Sequence, residues 1–286
     1  MANEFSYYEN TEIYSPGISI DPDFKHPKYR IDLTRILVWG IMIFNIAFIT
    51  MIITSLFLKS SIQSVLKVIQ STDIMSAVKV TVGSIICSAI TTVVIGTPFA
   101  YLMAQKQGKL YRVMNMIVSL PLVMPPTVGG LALLMAFGRR GAFGGIINFL
   151  GIDIPFSFLA LIFVQVFVMI PLFTQSLRNG FEAIEKDVIE AARVFGSGEK
   201  QLIFHFYLPL SIRPFLTGLI MACLRAAGEF GATMMFAGNL SGKTQTLSTA
   251  IYTLSQKDLG QSIALAVVMI MLFLLPLLVL ELKLKK

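Results

Sequence analysis

Arg225 and Glu229 stand four positions apart inside the otherwise apolar run 215–237. That separation places both on one face of a helix, and ionisable groups at membrane depth face a bundle interior or a cavity because lipid solvates them poorly. A carboxylate in such a place can act as a general acid or base. Here no histidine, paired aspartates or serine and lysine dyad shares the apolar runs with it, and a lone carboxylate lacks the partners such chemistry needs. Two readings remain: polar lining beside a path through the bundle, or a structural ion pair between helices.

A second candidate is Ala237-Gly-Asn-Leu-Ser-Gly-Lys-Thr244, which matches the loosest form of a phosphate-binding loop with alanine in place of the first glycine. A working phosphate loop joins a strand to a helix and needs a magnesium-binding aspartate on another strand. This segment follows an apolar helical run, so nucleotide binding is rejected. Cys87 and Cys223 both lie in apolar runs, which marks them as small buried hydrophobes rather than disulfide halves or metal ligands. His26 and His205 fall far apart in polar stretches, and no metal-ligand spacing surrounds them.

The elements that hold these residues are set by composition. Hydrophobic residues make up 55% of the 286-residue chain and charged residues only 14%, outside the range of soluble domains. Six runs, 36–58, 80–103, 113–137, 156–177, 215–237 and 263–282, reach or approach the roughly 20 residues that a helix needs to cross hydrocarbon. Residues 1–35 are polar and lack a signal-peptide core, so they read as a cytoplasmic tail and 36–286 as one membrane domain. With both ends inside, Lys25, Lys28, Arg30, Arg35, Lys106, Lys109, Arg112, Arg178, Lys186, Arg193, Lys200, Arg213, Lys283, Lys285 and Lys286 fall on the inner side. Lys59, Lys67, Lys79, Arg139, Arg140, Lys243 and Lys257 fall on the outer side. The inner excess follows the positive-inside rule and accounts for the formal charge of +7 without nucleic acid as a partner.

The longest inner loop, 179–212, carries eight acidic or basic residues. Asp187 followed by Glu190 resembles a capping box, and Val188, Ala191, Ala192 and Phe195 recur at helical spacing up to Gly196. A second short helix with Leu202, Ile203 and Phe206 on one face is expected to end at Leu208-Pro209. Such an amphipathic pair can lie on headgroups or fill a groove on a partner protein. In the third run, Pro121, Pro125, Pro126, Gly129 and Gly130 predict a kinked helix, suited to a gate or to packing.

Glu190-Ala191-Ala192, then Gly196 after three residues, Phe206 after nine more, and Leu208-Pro209 resemble the EAA loop of bacterial and archaeal ABC importer permeases. Phe206 stands where that family more often has isoleucine. The stretches Leu120 to Gly130, Phe137-Gly-Arg-Arg-Gly141, Gly228-Glu-Phe-Gly-Ala-Thr233 and Gly242-Lys-Thr-Gln-Thr246 are similar to its molybdate, tungstate and sulfate branch.

This resemblance implies an all-α polytopic membrane protein of about six transmembrane helices, with a cytoplasmic coupling-helix loop and the type I ABC importer fold. It implies ATPase coupling through Glu190, Ala191, Ala192, Gly196, Leu208 and Pro209. A translocation pathway or gate would be built around Pro125, Pro126, Gly129, Arg225, Glu229 and Gly231. The partners it implies are a second copy of the chain, two ABC ATPase subunits that bind ATP and magnesium, an extracytoplasmic oxyanion-binding protein and the lipid bilayer, the chain itself lying in the cell membrane. The chain itself would hold no cofactor and catalyse nothing. Arg139, Arg140, Lys243 and Lys257 would concentrate a dianion at the outer mouth. Molybdate or tungstate is the expected cargo, with sulfate or thiosulfate as the alternative. An ion-gradient transporter would need no docking loop, and an intramembrane enzyme would need more than Glu229.

Overall fold

The computed structural model describes residues 33–106 and 108–284. Most of the expected tail, including His26, and the two last lysines lie outside the described residues. Every regular element among the described residues is a helix. The chain divides into two compact units after Ile53. Most of α1 (Leu33–Lys59) belongs to the first, and none of its side chains is buried. At 1.5 Å per residue α1 is about 40 Å long, enough to cross the membrane.

The second unit is organised about α7 (Phe158–Glu182), which opens on Ser157, whose side chain accepts from the Ala160 amide. On one side α7 packs along α3 (Thr72–Gln105), and on another along α10 (Ile212–Ala227). Leu161, Val164, Met169, Phe173 and Leu177 of α7 are fully enclosed. The apolar seam is pinned by one polar clamp: the Gln165 amide donates to Ser84 Oγ and accepts from Ser88 Oγ, each at 2.9 Å. A buried amide satisfied on both ends fixes the register of two helices, because any slide would leave donor and acceptor unpaired.

Two of the six expected spans are not continuous helices. Residues 113–137 form α4 (Lys109–Val123) and α5 (Pro126–Phe137), turned by 118° relative to one another. The cause is local. Met124 precedes Pro125, and Pro125 precedes Pro126, so both are driven into extended backbone, with ψ of 133° and 136°. The kink is therefore a full break, and neither piece alone is as long as a span. The fifth run also stops early: α10 ends at Ala227, and a separate helical turn of π type follows at Thr233–Ala237. Its expected extent to 237 is corrected accordingly.

Three short helices lie in stretches read as loops: α2 (Ile62–Gln70), α6 (Gly144–Phe149) and α11 (Leu247–Ser255). α2 and α11 join α3 and α12 (Leu259–Leu284) in a local core of Val68, Ala77, Leu247, Ala250 and Leu265. Cys87 is exposed and Cys223 half-buried, both with free thiols, so the expectation of a buried Cys87 is corrected. It sits on an outward face of α3 among apolar neighbours such as Ile86 and Ile90, which are 54% and 61% exposed, a surface suited to lipid.

Candidate functional site

The loop between α7 and α10 folds as α8 (Lys186–Val194) and α9 (Glu199–Leu210), the latter widened to a π turn over Leu202–Tyr207. Glu185, not Asp187, stands at the N-cap of α8, and no side chain caps it. Asp187 falls in the first turn, where its charge favours the helix dipole instead. The end of α8 follows the expected design. Gly196, with φ of +85°, donates to the Arg193 carbonyl at 2.9 Å while Ser197 donates to Ala192 at 3.0 Å, the paired bonds of a Schellman stop. Only glycine adopts that φ without strain.

α9 runs through Pro209, contrary to the expected stop, and the chain turns by 76° at Ser211. The Leu208 amide reaches back to Ile203 in a five-residue step. That wider turn shifts the carbonyls that the ring of Pro209 would otherwise strike.

Ile189, Ala192, Leu202 and Tyr207 turn inward and pack against Phe181 and Leu177 of α7 and Tyr101 of α3. Ala192 thus faces the chain's own core, while Glu190, Ala191, Gly196 and Pro209 face outward and Leu208 is half-buried. At the tip, Val194 and Phe195 stand 84% and 89% exposed. Burial raises the pKa of the Tyr207 phenol, keeping it neutral. Around the base of the loop, Tyr101 donates its hydroxyl to Glu199 Oε2, and Arg193 Nη2 lies 3.7 Å from Glu199 Oε1 and donates to Gln105 Oε1 at 3.3 Å.

The other candidate residues gather at the breaks. Arg225 Nη1 lies 2.7 Å from Glu229 Oε2, with the Arg225 side chain 41% exposed and that of Glu229 only 1%. Glu229 is not on the helix of Arg225, because α10 has already ended. Its second oxygen accepts from the Ala232 amide at 3.0 Å, and its carbonyl accepts from Ser248 Oγ at 2.8 Å. One carboxylate therefore neutralises a cation and caps the next helical turn. Gly231 lies against Pro126, its position for a Cβ being 3.0 Å from the proline ring, and a Cβ on Gly130 would come within 2.7 Å of the Ala232 backbone. Pro126, Gly231, Arg225 and Glu229 are thereby drawn into one junction. Gly129 is buried against Phe167 of α7, and Pro125 is exposed at the bend. Sequence reasoning missed Gly130 as a contact and Ser248 altogether: a glycine pair hints at close packing, whereas nothing local marks a serine far along the chain.

The phosphate-loop lookalike closes on itself. Thr244 is fully buried and its Oγ1 accepts from the Leu240 amide at 3.1 Å, while the Thr244 and Gln245 amides return to the Leu240 carbonyl. The Leu240, Thr244 and Gln245 amides and the Thr244 hydroxyl are thus spent internally. Among the expected outer cations, Arg139 is paired with Asp153 at 2.6 Å. That hydrogen bond raises the Arg139 pKa and lowers that of Asp153, so Arg139 adds little net attraction for an anion.

The family model described as "Binding-protein-dependent transport system inner membrane component" matches residues 96–282, which includes the α8–α9 loop and both broken spans. The chain belongs to this family. As an inner membrane component it is a multi-pass membrane protein with apolar helices of spanning length. It is 38% identical to the "Probable transport system permease protein NifC" of Clostridium pasteurianum over 63% of this chain and 63% of that protein, just under two thirds of its length. It is 35% identical to the "Molybdenum transport system permease protein ModB" of Mycobacterium tuberculosis over 68% of this chain and 74% of that one. In fold it resembles a chain of the bacterial alginate ABC transporter solved with its alginate-bound periplasmic protein, at a TM-score of 0.68 and 16% identity, over 87% of this chain and 91% of that one. The inner membrane component thus has the all-helical type I ABC importer fold.

Proposed function

We propose that this chain is the permease subunit of an ATP-driven molybdate importer, with tungstate as the neighbouring cargo. Two copies enclose the pathway, each docked to one of two ABC ATPase subunits, and an outer binding protein delivers the oxyanion. The cargo rests on the likeness to permeases named for molybdenum transport. The coupling rests on a single observation. The α8–α9 loop is anchored to the core by Ile189, Leu202 and Tyr207, yet it presents Val194 and Phe195 uncovered at its tip. An aromatic side chain on a rigid support is what a cleft on a partner protein engages.

In this reading both termini and the docking loop are cytoplasmic, as the bias of lysine and arginine indicates. ATP and magnesium belong to the ATPase subunits, and this chain hydrolyses nothing. Nucleotide-driven motion of the ATPases displaces α8. Its packing on Phe181 and Leu177 carries that displacement to α7, and thence to α3 and α10. The junction at Pro126, Glu229 and Gly231 is where rigid pieces change direction, and so where the pathway opens or closes.

The test is uptake of radiolabelled molybdate by vesicles holding this chain with its cognate ATPase, supplied with the binding protein and ATP. Uptake that requires all three, and that a tenfold excess of sulfate leaves largely intact, is the expected result. Preference for sulfate would overturn the cargo. Uptake by the chain alone would overturn the subunit architecture.

A further inference from the structure

Packing through α7 gives α8 an indirect route to α3, the longest helix of the second unit, and a direct tie also joins them. α3 has 34 residues and is about 51 Å long at 1.5 Å per residue, well beyond the hydrocarbon thickness. Its last turns therefore project towards the docking loop. Tyr101 and Gln105 stand there four residues apart, on one face.

Tyr101 is 6% exposed. Its ring meets Tyr207 of α9 edge-on at 5.1 Å and Phe181 of α7 at 6.4 Å, while Tyr207 and Phe181 meet at 5.3 Å. Three rings from three elements, each nearly perpendicular to the others, make a contact that resists sliding. The polar tips close a circuit: Tyr101 donates to Glu199 of α9, Glu199 faces Arg193 of α8 at 3.7 Å, and Arg193 donates to Gln105 of α3 at 3.3 Å. The circuit bridges Gly196, the turn between α8 and α9. A tyrosine near a helix end can also be a headgroup anchor, but such a ring stays exposed to the interface. This one is enclosed, and its hydroxyl is committed to a carboxylate.

We infer that Tyr101, Gln105, Arg193 and Glu199 form a clasp that locks α8 and α9 into one body and ties it to α3, making Tyr101 a positioning residue for transport. The inference rests on the docking loop engaging an ATPase. Glu199 and Arg193 keep side-chain exposures of 66% and 47%, so their ion pair alone is weak. The enclosed rings supply the stiffness, and the tyrosine hydroxyl joins the rings to the charges.

The experiment uses the full reconstituted transporter and reads molybdate moved per ATP hydrolysed, a ratio that loss of folded protein does not alter. Tyr101→Phe keeps the ring packing and removes one hydrogen bond. The ratio is expected to fall about tenfold, the scale of one bond to a charged group. Glu199→Ala, which removes the acceptor at an exposed site that tolerates substitution, is expected to lower it similarly, and the double variant no further than either single one, since all three lose the same link. A wild-type ratio in both single variants, or a double variant whose fall is the product of the two, overturns the clasp. A wild-type complex with no ATP-dependent uptake instead overturns the coupling reading beneath it. Dissociation of the ATPase from Tyr101→Phe on gel filtration would make Tyr101 a docking residue and would likewise overturn the clasp.

Discussion

The docking loop and the junction of the broken spans both interrupt helices, yet they do so in opposite ways. At the junction every interruption is answered within the chain: Glu229 pairs with Arg225 and caps Ala232, Gly130 lets α5 meet the Ala232 backbone, and Ser248 satisfies the Glu229 carbonyl. The docking loop is finished only on its inner side. Ile189, Ala192, Leu202 and Tyr207 are buried, whereas Val194 and Phe195 protrude. In the proposed reading, the region complete in itself is a joint, and the region with one rigid face and one bare apolar tip takes a partner. Substitutions at the junction should therefore lower the stability of the isolated chain, and those at the tip should lower assembly only.

Glu229→Ala tests the junction with the largest expected effect. It removes the acceptor of Arg225 and uncaps the turn after it, a loss of about 3 kcal/mol for two hydrogen bonds to a charged group. In detergent that corresponds to a fall of roughly 6–12 °C in Tm for a chain of this size. Glu229→Gln keeps one acceptor, enough for the Ala232 amide but not for Arg225 as well, and should lose less. Equal losses in the two variants would show that charge, not capping, holds the junction.

Phe195→Ala breaks the comparison from the other side. At 89% exposure it should leave the Tm of the isolated chain unchanged, since surface truncations stay within about 0.5 kcal/mol. Capture of the ATPase should weaken roughly thirtyfold, as for an aromatic anchor worth about 2 kcal/mol. Gly196→Ala is milder. Its positive φ costs an L-residue about 1 kcal/mol, concentrated in the stop of α8, so ATPase affinity should fall about fivefold with little change in the Tm of the core. A Tm fall in Phe195→Ala as large as that of Glu229→Ala would erase the distinction between the two regions.

How far these regions can be read from residues alone follows from the range of the forces involved. The Schellman stop at Gly196 is legible because it is decided within six residues by backbone sterics. The break at Met124 to Pro126 is legible as a disruption, since consecutive prolines forbid helix. Its 118° turn is not, because the angle is set by α5 packing against the turn at Thr233–Ala237. Arg225 and Glu229 mislead: four-residue spacing suggests one continuous helix, and only the Ala232 amide, free to be capped once α10 stops, shows that Glu229 begins the next one. Pro209 misleads for the reverse reason, because a local widening at Leu202–Tyr207 accommodates it. The long-range partners, Gln165 with Ser84 and Ser88 and Tyr101 with Glu199, leave no periodic signal, since each depends on helices that meet only in the fold.

The ion pair of Arg139 and Asp153 sharpens the contrast at its weakest end. Both side chains are open to water, at 73% and 62% exposure, so solvent screens the attraction and its contribution to stability is small. The hydrogen bond from Arg139 holds the Asp153 pKa below the ordinary carboxylate value. A depressed carboxylate pKa gives stabilisation that is fully present above the unfolded-state pKa, near 4, and is lost as pH falls through the lower folded-state value. The Tm difference between wild type and Asp153→Asn should therefore stay constant from about pH 8 to pH 5 and narrow only below about pH 4. Narrowing between pH 7 and pH 5 would mean that Asp153 is not held by Arg139 in solution, and would leave the Arg139 charge free to attract an anion.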